Sequence, residues 1–147
     1  MAHVKIKHGD WVFVGDGRKA LLLRNDGDPD LLDLRRVEVR EQDEHAPSRE
    51  RGTGSVGSGH SAGGTGATDW HALEEERFAA TVAERLNRAA EQGKFRHIVI
   101  VAPPKVLGEL RREYSKKLQG MVLAEIDKDL THHTTADIAK VLGTRGV

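Results

Sequence analysis

The segment from Phe95 to Lys128 constrains the fold more than any other part of this 147-residue chain. Within it, His97 to Ala102 is a short apolar run, which is typical of a strand buried on both faces. Pro104 suits the first turn of a helix, and Gly120 is expected to end that helix. A second apolar run, Met121 to Ile126, follows. The order strand, helix, strand predicts two parallel strands joined by a crossover helix.

The crossover helix is predicted to be amphipathic and basic. Its apolar residues recur at helical spacing and are Val106, Leu107, Leu110, Tyr114 and Leu118. On such a helix, Arg111, Arg112 and Lys116 share the opposite, solvent-facing side. We therefore define a candidate basic surface for binding, which comprises Lys105, Arg111, Arg112, Lys116 and Lys117.

Two interpretations of this basic surface are open. It is either a solvated face that complements the helix dipole or a surface that contacts the phosphates of RNA. The chain has one Tyr and three Phe, which offers little for base stacking. Any RNA contact is therefore expected to involve the nucleic-acid backbone.

Three further strands are predicted near the N-terminus. Asp10 to Gly15 is apolar at nearly every position, which favours a central strand. Asp16–Gly17 is a turn signal that favours a hairpin, with Ala20 to Arg24 as the returning strand. Leu31 to Val39 is the third strand, with four charged residues expected to face solvent: Arg35, Arg36, Glu38 and Arg40.

A glycine-rich segment separates the third strand from the first helix. Gly52 to Gly66 contains seven glycines in fifteen residues, and such a composition buries too little apolar surface to offset its ordering entropy. We expect a flexible loop from His45 to Thr68, and a loop of this length in a compact domain is usually either functional or disordered. Its candidate binding residues are Arg49, Arg51, His60, Gly63 and Gly64.

Two more helices complete the prediction. Asp69 is expected to cap the first helix, whose apolar stripe contains Phe78, Val82, Leu86 and Ala90. Thr134 with Asp137 is typical of a cap for the last helix. The predicted fold is a single α/β domain over residues 1–147, in the order β-β-β-α-β-α-β-α. This order predicts a ribonuclease H-like, mixed five-stranded sheet.

Composition excludes several functional classes. The 23 basic and 23 acidic residues cancel, so there is no protein-wide attraction to nucleic acid or to an anionic membrane. The absence of cysteine excludes disulfides, thiolate catalysis and cysteine-based metal sites. The N-terminus lacks the apolar core of a secretory signal, and no apolar run reaches the ~20 residues of a membrane span. We expect a cytoplasmic protein without membrane insertion.

Catalytic groups are sparse. A two-metal nuclease of the ribonuclease H-like class needs a carboxylate cluster, for which the chain offers Asp10, Asp16 and Asp129. However, the fourth strand runs into Pro103 without an acid. The adjacent His132 and His133 diverge rather than converge on one ion. We therefore predict no catalytic residue, no metal site and no cofactor, and rank a nuclease last.

Three stretches resemble the bacterial host-attachment protein family, whose members are described as required for attachment to host cells. They are DWVFVGDGRKALLL from Asp10, EEERFAATVAERL from Glu74, and the run from Ile98 to Leu142, in which APP, LGELR and KDLT are the most specific pieces. That family is similar to the middle domain of archaeal and eukaryotic class I release factors. The resemblance implies a ribonuclease H-like topology over nearly the whole chain.

The release-factor domain carries a Gly-Gly-Gln loop that enters the ribosomal catalytic centre. Here Gly63 and Gly64 are followed by Thr65, so the resemblance does not extend to peptidyl-tRNA hydrolysis. The leading interpretation is a non-enzymatic host-attachment family protein that acts by binding an unknown protein. The alternative is a translation-linked protein that associates with the ribosome or RNA.

Overall fold

The computed structural model describes residues 5–41 and 63–143, of which residues 63–72 are described by their backbone alone. The predicted loop candidates Arg49, Arg51 and His60 lie outside these residues. Within the described ranges, no helix has the length and apolar character that crossing a membrane requires.

The described chain is a mixed α/β structure of five strands and four helices. The strands are β1 Trp11–Gly15, β2 Lys19–Asn25, β3 Leu34–Glu41, β4 Ile98–Ala102 and β5 Val122–Asp127. The helices are α1 Gly63–Glu91, α2 Pro104–Arg111, α3 Lys116–Met121 and α4 Thr135–Gly143.

The strands form one mixed sheet in the order β3-β2-β1-β4-β5. β2 is antiparallel to both β1 and β3, whereas β1, β4 and β5 run parallel to one another. The predicted mixed five-stranded sheet is therefore confirmed. We call the edge at which the three parallel strands begin the amino edge, and the edge at which they end the carboxyl edge.

Apolar side chains cover both faces of the sheet. On one face, Phe13, Ile100 and Leu110 belong to a cluster with α1, α2 and α3. On the other face, Val12, Val101 and Ile138 belong to a cluster with α4 and the N-terminal segment. Every residue of β1 and β4 is buried, because alternate side chains enter opposite clusters.

The predicted stripe on α1 is confirmed, because Phe78, Val82, Leu86 and Ala90 are all buried. The cap of α4 is also present, since the Thr134 hydroxyl accepts a hydrogen bond from the Asp137 amide at 3.0 Å.

The predicted crossover helix is wrong in its length. It is divided into α2 and α3, because Ser115 starts a second helix by accepting a hydrogen bond from the Leu118 amide at 3.0 Å. The Asn87 side chain of α1 fixes the break: it donates to the Glu113 carbonyl at 2.9 Å and accepts from the Ser115 amide at 2.8 Å. Gly120 lies inside α3 and does not end the helix.

The start of α1 also differs from the prediction. The helix begins at Gly63, so residues 63–68 have helical backbone where the sequence predicts a loop, and Asp69 lies within the helix rather than at its cap. Glycine permits helical torsion angles at an entropic cost of about 1 kcal/mol relative to alanine. Propagation from the strong helix-forming sequence that follows favours the extension.

β3 starts three residues later than predicted. Residues 31–33 belong instead to a turn, in which the Asp28 carboxylate accepts from the Leu31 amide at 2.7 Å and Asn25 Oδ1 accepts from the Asp33 amide at 2.9 Å. Glu38, predicted to face solvent, is half-buried and pairs with Arg85 of α1 at 2.9 Å. The remaining predicted solvent-facing residues, Arg35, Arg36 and Arg40, are exposed.

Candidate functional site

The structure divides the candidate basic surface between the two edges of the sheet. Lys105 lies in the first turn of α2, directly after β4 ends, and its Nζ is 3.5 Å from Glu75 Oε1. Arg112 follows the other end of this eight-residue helix, which is about 12 Å long. The prediction that Arg111, Arg112 and Lys116 share one helix face is wrong, because α2 ends before Lys116.

Arg111 is held by an acid that the sequence analysis did not single out. Its Nε donates to Glu125 Oε1 of β5 at 2.7 Å, and the Tyr114 hydroxyl donates to the other carboxylate oxygen at 3.2 Å. The hydrogen bond to Glu125 raises the pKa of Arg111, whereas burial raises the pKa of Tyr114. Arg111 therefore neutralises Glu125 and is not a free cation.

Three cations of the predicted surface remain exposed. Arg112, Lys116 and Lys117 form no ion pair with any residue in ranges 5–41 and 63–143. Lys94 and Arg96, which precede β4, are exposed as well. Lys94 and Arg96 lie just before β4, Arg112 follows α2, and Lys116 and Lys117 begin α3, the helix that leads into β5. We call this set the basic edge; it comprises Lys94, Arg96, Arg112, Lys116 and Lys117.

A groove adjoins the basic edge. It lies between the α2–α3 segment and β5, has a volume of about 370 Å³, and is lined by Arg111, Tyr114, Gln119, Val122 and Glu125. β5 is the last strand of the sheet, and among the described residues it pairs with β4 alone. Arg111 and Tyr114 hold the Glu125 carboxylate in the lining of this groove.

The carboxyl edge brings two predicted acids together. The Thr131 hydroxyl lies 3.0 Å from Asp16 Oδ2 and 2.8 Å from Asp129 Oδ1. Asp16 Oδ1 also accepts from the Arg18 and Lys19 amides, both at 2.7 Å. These two carboxylates are thus occupied by donors of the chain itself, which is the structural role expected of a turn residue and a loop residue.

The third predicted acid lies elsewhere. Asp10 precedes β1 at the amino edge, is buried, and accepts from the Lys7 amide at 2.9 Å. A five-residue strand of about 17 Å separates it from Asp16. No group of three or more histidine or acidic residues in the described part of the chain is arranged to hold a metal ion.

A close approach of backbone and side chain shapes the carboxyl edge. A Cβ atom at Gly17 would lie 2.9 Å from Glu75 Cδ, so a larger residue in the β1–β2 turn would displace the end of the Glu75 side chain. Of the loop candidates, Gly63 and Gly64 are the first two residues of α1.

Sequence reasoning missed Glu125, Asn87 and Thr131, which organise these sites, and the buried acid Glu109. Glu125 is a lone acid in an apolar strand, and Glu109 lies three residues after Val106 on the helix face that is buried; both positions gave a usable signal. Asn87 and Thr131 gave none, because their partners are distant in sequence.

Comparison with known proteins assigns the chain to a family. A model of bacterial archaeo-eukaryotic release factor family 12 matches residues 10–142. The uncharacterized protein RP470 of Rickettsia prowazekii (strain Madrid E) is 32% identical over 72 residues, which are 48% of either chain. The chain thus aligns with about half of this curated relative.

Two solved archaeal structures are similar in part. The archaeal translation termination factor aRF1 matches 82% of this chain and 30% of its own, with a TM-score of 0.47 and 12% identity. A structure described as an archaeal protein matches 89% of this chain and 33% of its own, with a TM-score of 0.49 and 11% identity.

Proposed function

Because this chain belongs to bacterial archaeo-eukaryotic release factor family 12, we propose that it acts in translation by binding the ribosome or RNA through the basic edge. The observation that carries the proposal is that the predicted cations differ in whether they are paired with an acid. Lys105 and Arg111 are paired with acids, whereas Arg112, Lys116 and Lys117 are exposed without an ion pair in the described chain. Unpaired cations are the ones that release counterions when they contact phosphate.

The distribution of charge supports a local contact. The chain is neutral as a whole, so attraction to RNA depends on the basic edge rather than on net charge. Of the neighbouring acids, Glu109 and Glu113 offset part of the five positive charges, whereas Glu125 is neutralised by Arg111. The edge therefore keeps a positive potential in a neutral protein.

The proposed role is binding rather than catalysis. Thr65 follows Gly63 and Gly64 where release factors have glutamine, so we expect no peptidyl-tRNA hydrolysis. A metal-dependent nuclease remains the least favoured function, since Asp16 and Asp129 share the Thr131 hydroxyl and β4 leads into Pro103. The strand order supports the ribonuclease H-like interpretation, and host attachment stays a prediction of the sequence alone.

Ribosome co-sedimentation at low and high salt tests the proposal. The wild type is expected to sediment with ribosomes at ~50 mM salt and to be released progressively by ~200 mM. The variant Arg112→Glu, Lys116→Glu, Lys117→Glu is expected to lose this association while it retains its fold, because exposed charges contribute little to stability.

A matched control reverses three exposed cations elsewhere, by Lys5→Glu, Arg36→Glu and Arg77→Glu, and so makes the same change in net charge. It is expected to sediment like the wild type. Loss of binding in both triple variants would mean that overall charge, not the basic edge, is responsible. Absence of salt-sensitive binding by the wild type would overturn the proposed function.

A further inference from the structure

We propose that the groove beside β5 binds one unstacked base of single-stranded RNA, with guanine preferred, and that the basic edge holds the neighbouring phosphates. This inference rests on the proposed function and deepens it by naming what the RNA-binding surface reads. The groove and the basic edge adjoin through α3, in which Lys116 and Gln119 are three residues apart. That spacing makes the two residues neighbours on the helix surface.

The groove contains a fixed acceptor. Glu125 Oε1 accepts from Arg111 Nε and also lies 2.5 Å from Arg111 Nη2, and Glu125 Oε2 accepts from the Tyr114 hydroxyl. An ionised carboxylate has about four acceptor sites, so it can still accept hydrogen bonds from a ligand. The side chain is 20% exposed, which leaves the carboxylate within reach of a ligand in the groove.

Guanine matches this acceptor better than the other bases do. Its Watson–Crick edge presents two adjacent donors, N1–H and the N2 amino group, which suit the two oxygens of one carboxylate. Its O6 is an acceptor beside them, and the Gln119 amide offers a donor in the groove lining. Uracil presents one N3–H between two carbonyl oxygens, which the carboxylate disfavours. Unstacked bases are read in this way along their Watson–Crick edges.

The planar groups of the groove suit a base as well. Arginine guanidinium groups and tyrosine rings both support stacked bases in RNA recognition, and the groove is lined by Arg111 and Tyr114. The single tyrosine of the chain thus lies at this site. A peptide that adds a strand to β5 is the competing occupant, but the unpaired cations beside the groove favour an anionic polymer.

The test compares three fluorescent 12-nucleotide RNAs by anisotropy at fixed salt. They are oligo(U), alternating (UG)6, and alternating (UI)6, in which inosine lacks the N2 amino group. The wild type is expected to bind (UG)6 at least about fivefold more tightly than oligo(U), as a bidentate base contact allows. (UI)6 is expected to lose most of that preference, because only one of the two donors remains.

Two variants and one control assign the preference to the groove. Glu125→Gln is expected to abolish the preference for (UG)6, since the amide replaces one acceptor with a donor. Gln119→Ala, at an exposed position, is expected to reduce the preference for (UG)6. It replaces Glu125→Gln as the test if circular dichroism shows that Glu125→Gln is unfolded. Glu113→Gln changes an exposed acid outside the groove and is expected to keep the wild-type preference.

The outcomes distinguish a failure of the groove inference from a failure of the proposed function. Salt-sensitive binding of all three RNAs with equal affinity would overturn the groove inference but would still support RNA binding by the basic edge. In that case a peptide that adds a strand to β5 would be the favoured occupant of the groove. A preference that survives both Glu125→Gln and Gln119→Ala would also overturn it. No salt-sensitive binding of any RNA or of ribosomes would overturn the proposed function itself.

Discussion

The hydroxyl of Thr131 lies 3.0 Å from Asp16 Oδ2, although the two residues are 115 positions apart in the chain. The contact joins the segment after β5 to the turn after β1, at the carboxyl edge of the sheet. The same hydroxyl is 2.8 Å from Asp129 Oδ1. Because a hydroxyl has one proton, it donates to one carboxylate at a time, and Thr131 thereby keeps two acids close together.

Replacement of Thr131 by valine removes this hydroxyl with little change in shape. We expect the free energy of unfolding to fall by about 0.5–1.5 kcal/mol, because the half-buried Asp16 and the exposed Asp129 lose their shared donor. Urea denaturation followed by circular dichroism measures the change. Thr81→Val, at an exposed position of α1, is the matched control and should stay within about 0.5 kcal/mol of the wild type. Equal losses in the two variants would contradict the structural role of Thr131.

Asn87→Ala is expected to destabilise the break between α2 and α3. The substitution removes the side chain that bonds both the Glu113 carbonyl and the Ser115 amide, which should lower the free energy of unfolding by about 1–3 kcal/mol. Arg88→Ala removes an exposed i,i+4 pair with Glu84 and is expected to cost at most about 0.5 kcal/mol. Amide hydrogen exchange should show faster exchange at Ser115 in the Asn87 variant alone.

Truncation to alanine is expected to lower the free energy of unfolding by different amounts at Leu110 of α2 and Leu123 of β5. Leu110 is fully buried between α1 and the sheet, whereas Leu123 is 41% exposed at an irregularity of β5. Leu110→Ala should lower the free energy of unfolding by about 2–5 kcal/mol, and Leu123→Ala by much less. A loss under ~0.5 kcal/mol at Leu110, measured by denaturant unfolding, would contradict its place in the core.

Glu109 is expected to make stability depend on pH. It is buried on α2, and its Oε1 has no hydrogen-bond partner among the described residues. Burial is the main cause that raises its pKa above 4.5; Glu75 and Glu76 of α1 raise it further, and Lys105 and Arg112 act in the opposite direction. The neutral form is thus favoured in the folded state. The stability that the neutral Glu109 side chain contributes is fully present below pH 4.5 and is lost as the pH rises through the folded-state pKa.

Glu109→Gln tests this dependence, because glutamine stays neutral. The variant should gain stability relative to the wild type as the pH rises from 4.5 to 8 in urea titrations. Glu113→Gln, which changes an exposed acid of the same segment, should parallel the wild type over that range. A constant difference between Glu109→Gln and the wild type at every pH would show that Glu109 has the same pKa in the folded and unfolded states.

The sequence by itself determined the elements whose cause is local. The continuous apolar runs at β1 and β4 predict strands buried on both faces, and the four-residue recurrence from Phe78 to Ala90 predicts the buried face of α1. These predictions hold because the burial of an apolar side chain follows from the identity of that residue and the period of its element. The hairpin at Asp16–Gly17 is also predicted locally, but from its turn-forming residues.

Only the tertiary structure decided which polar groups are paired. The break between α2 and α3 depends on Asn87, which lies 28 residues before Ser115. The loss of Arg111 and Lys105 from the basic surface depends on Glu125 and Glu75, which belong to other elements. Hydrogen bonds and ion pairs require contact within a few ångströms, and that proximity between distant residues exists only once the sheet and helices have packed.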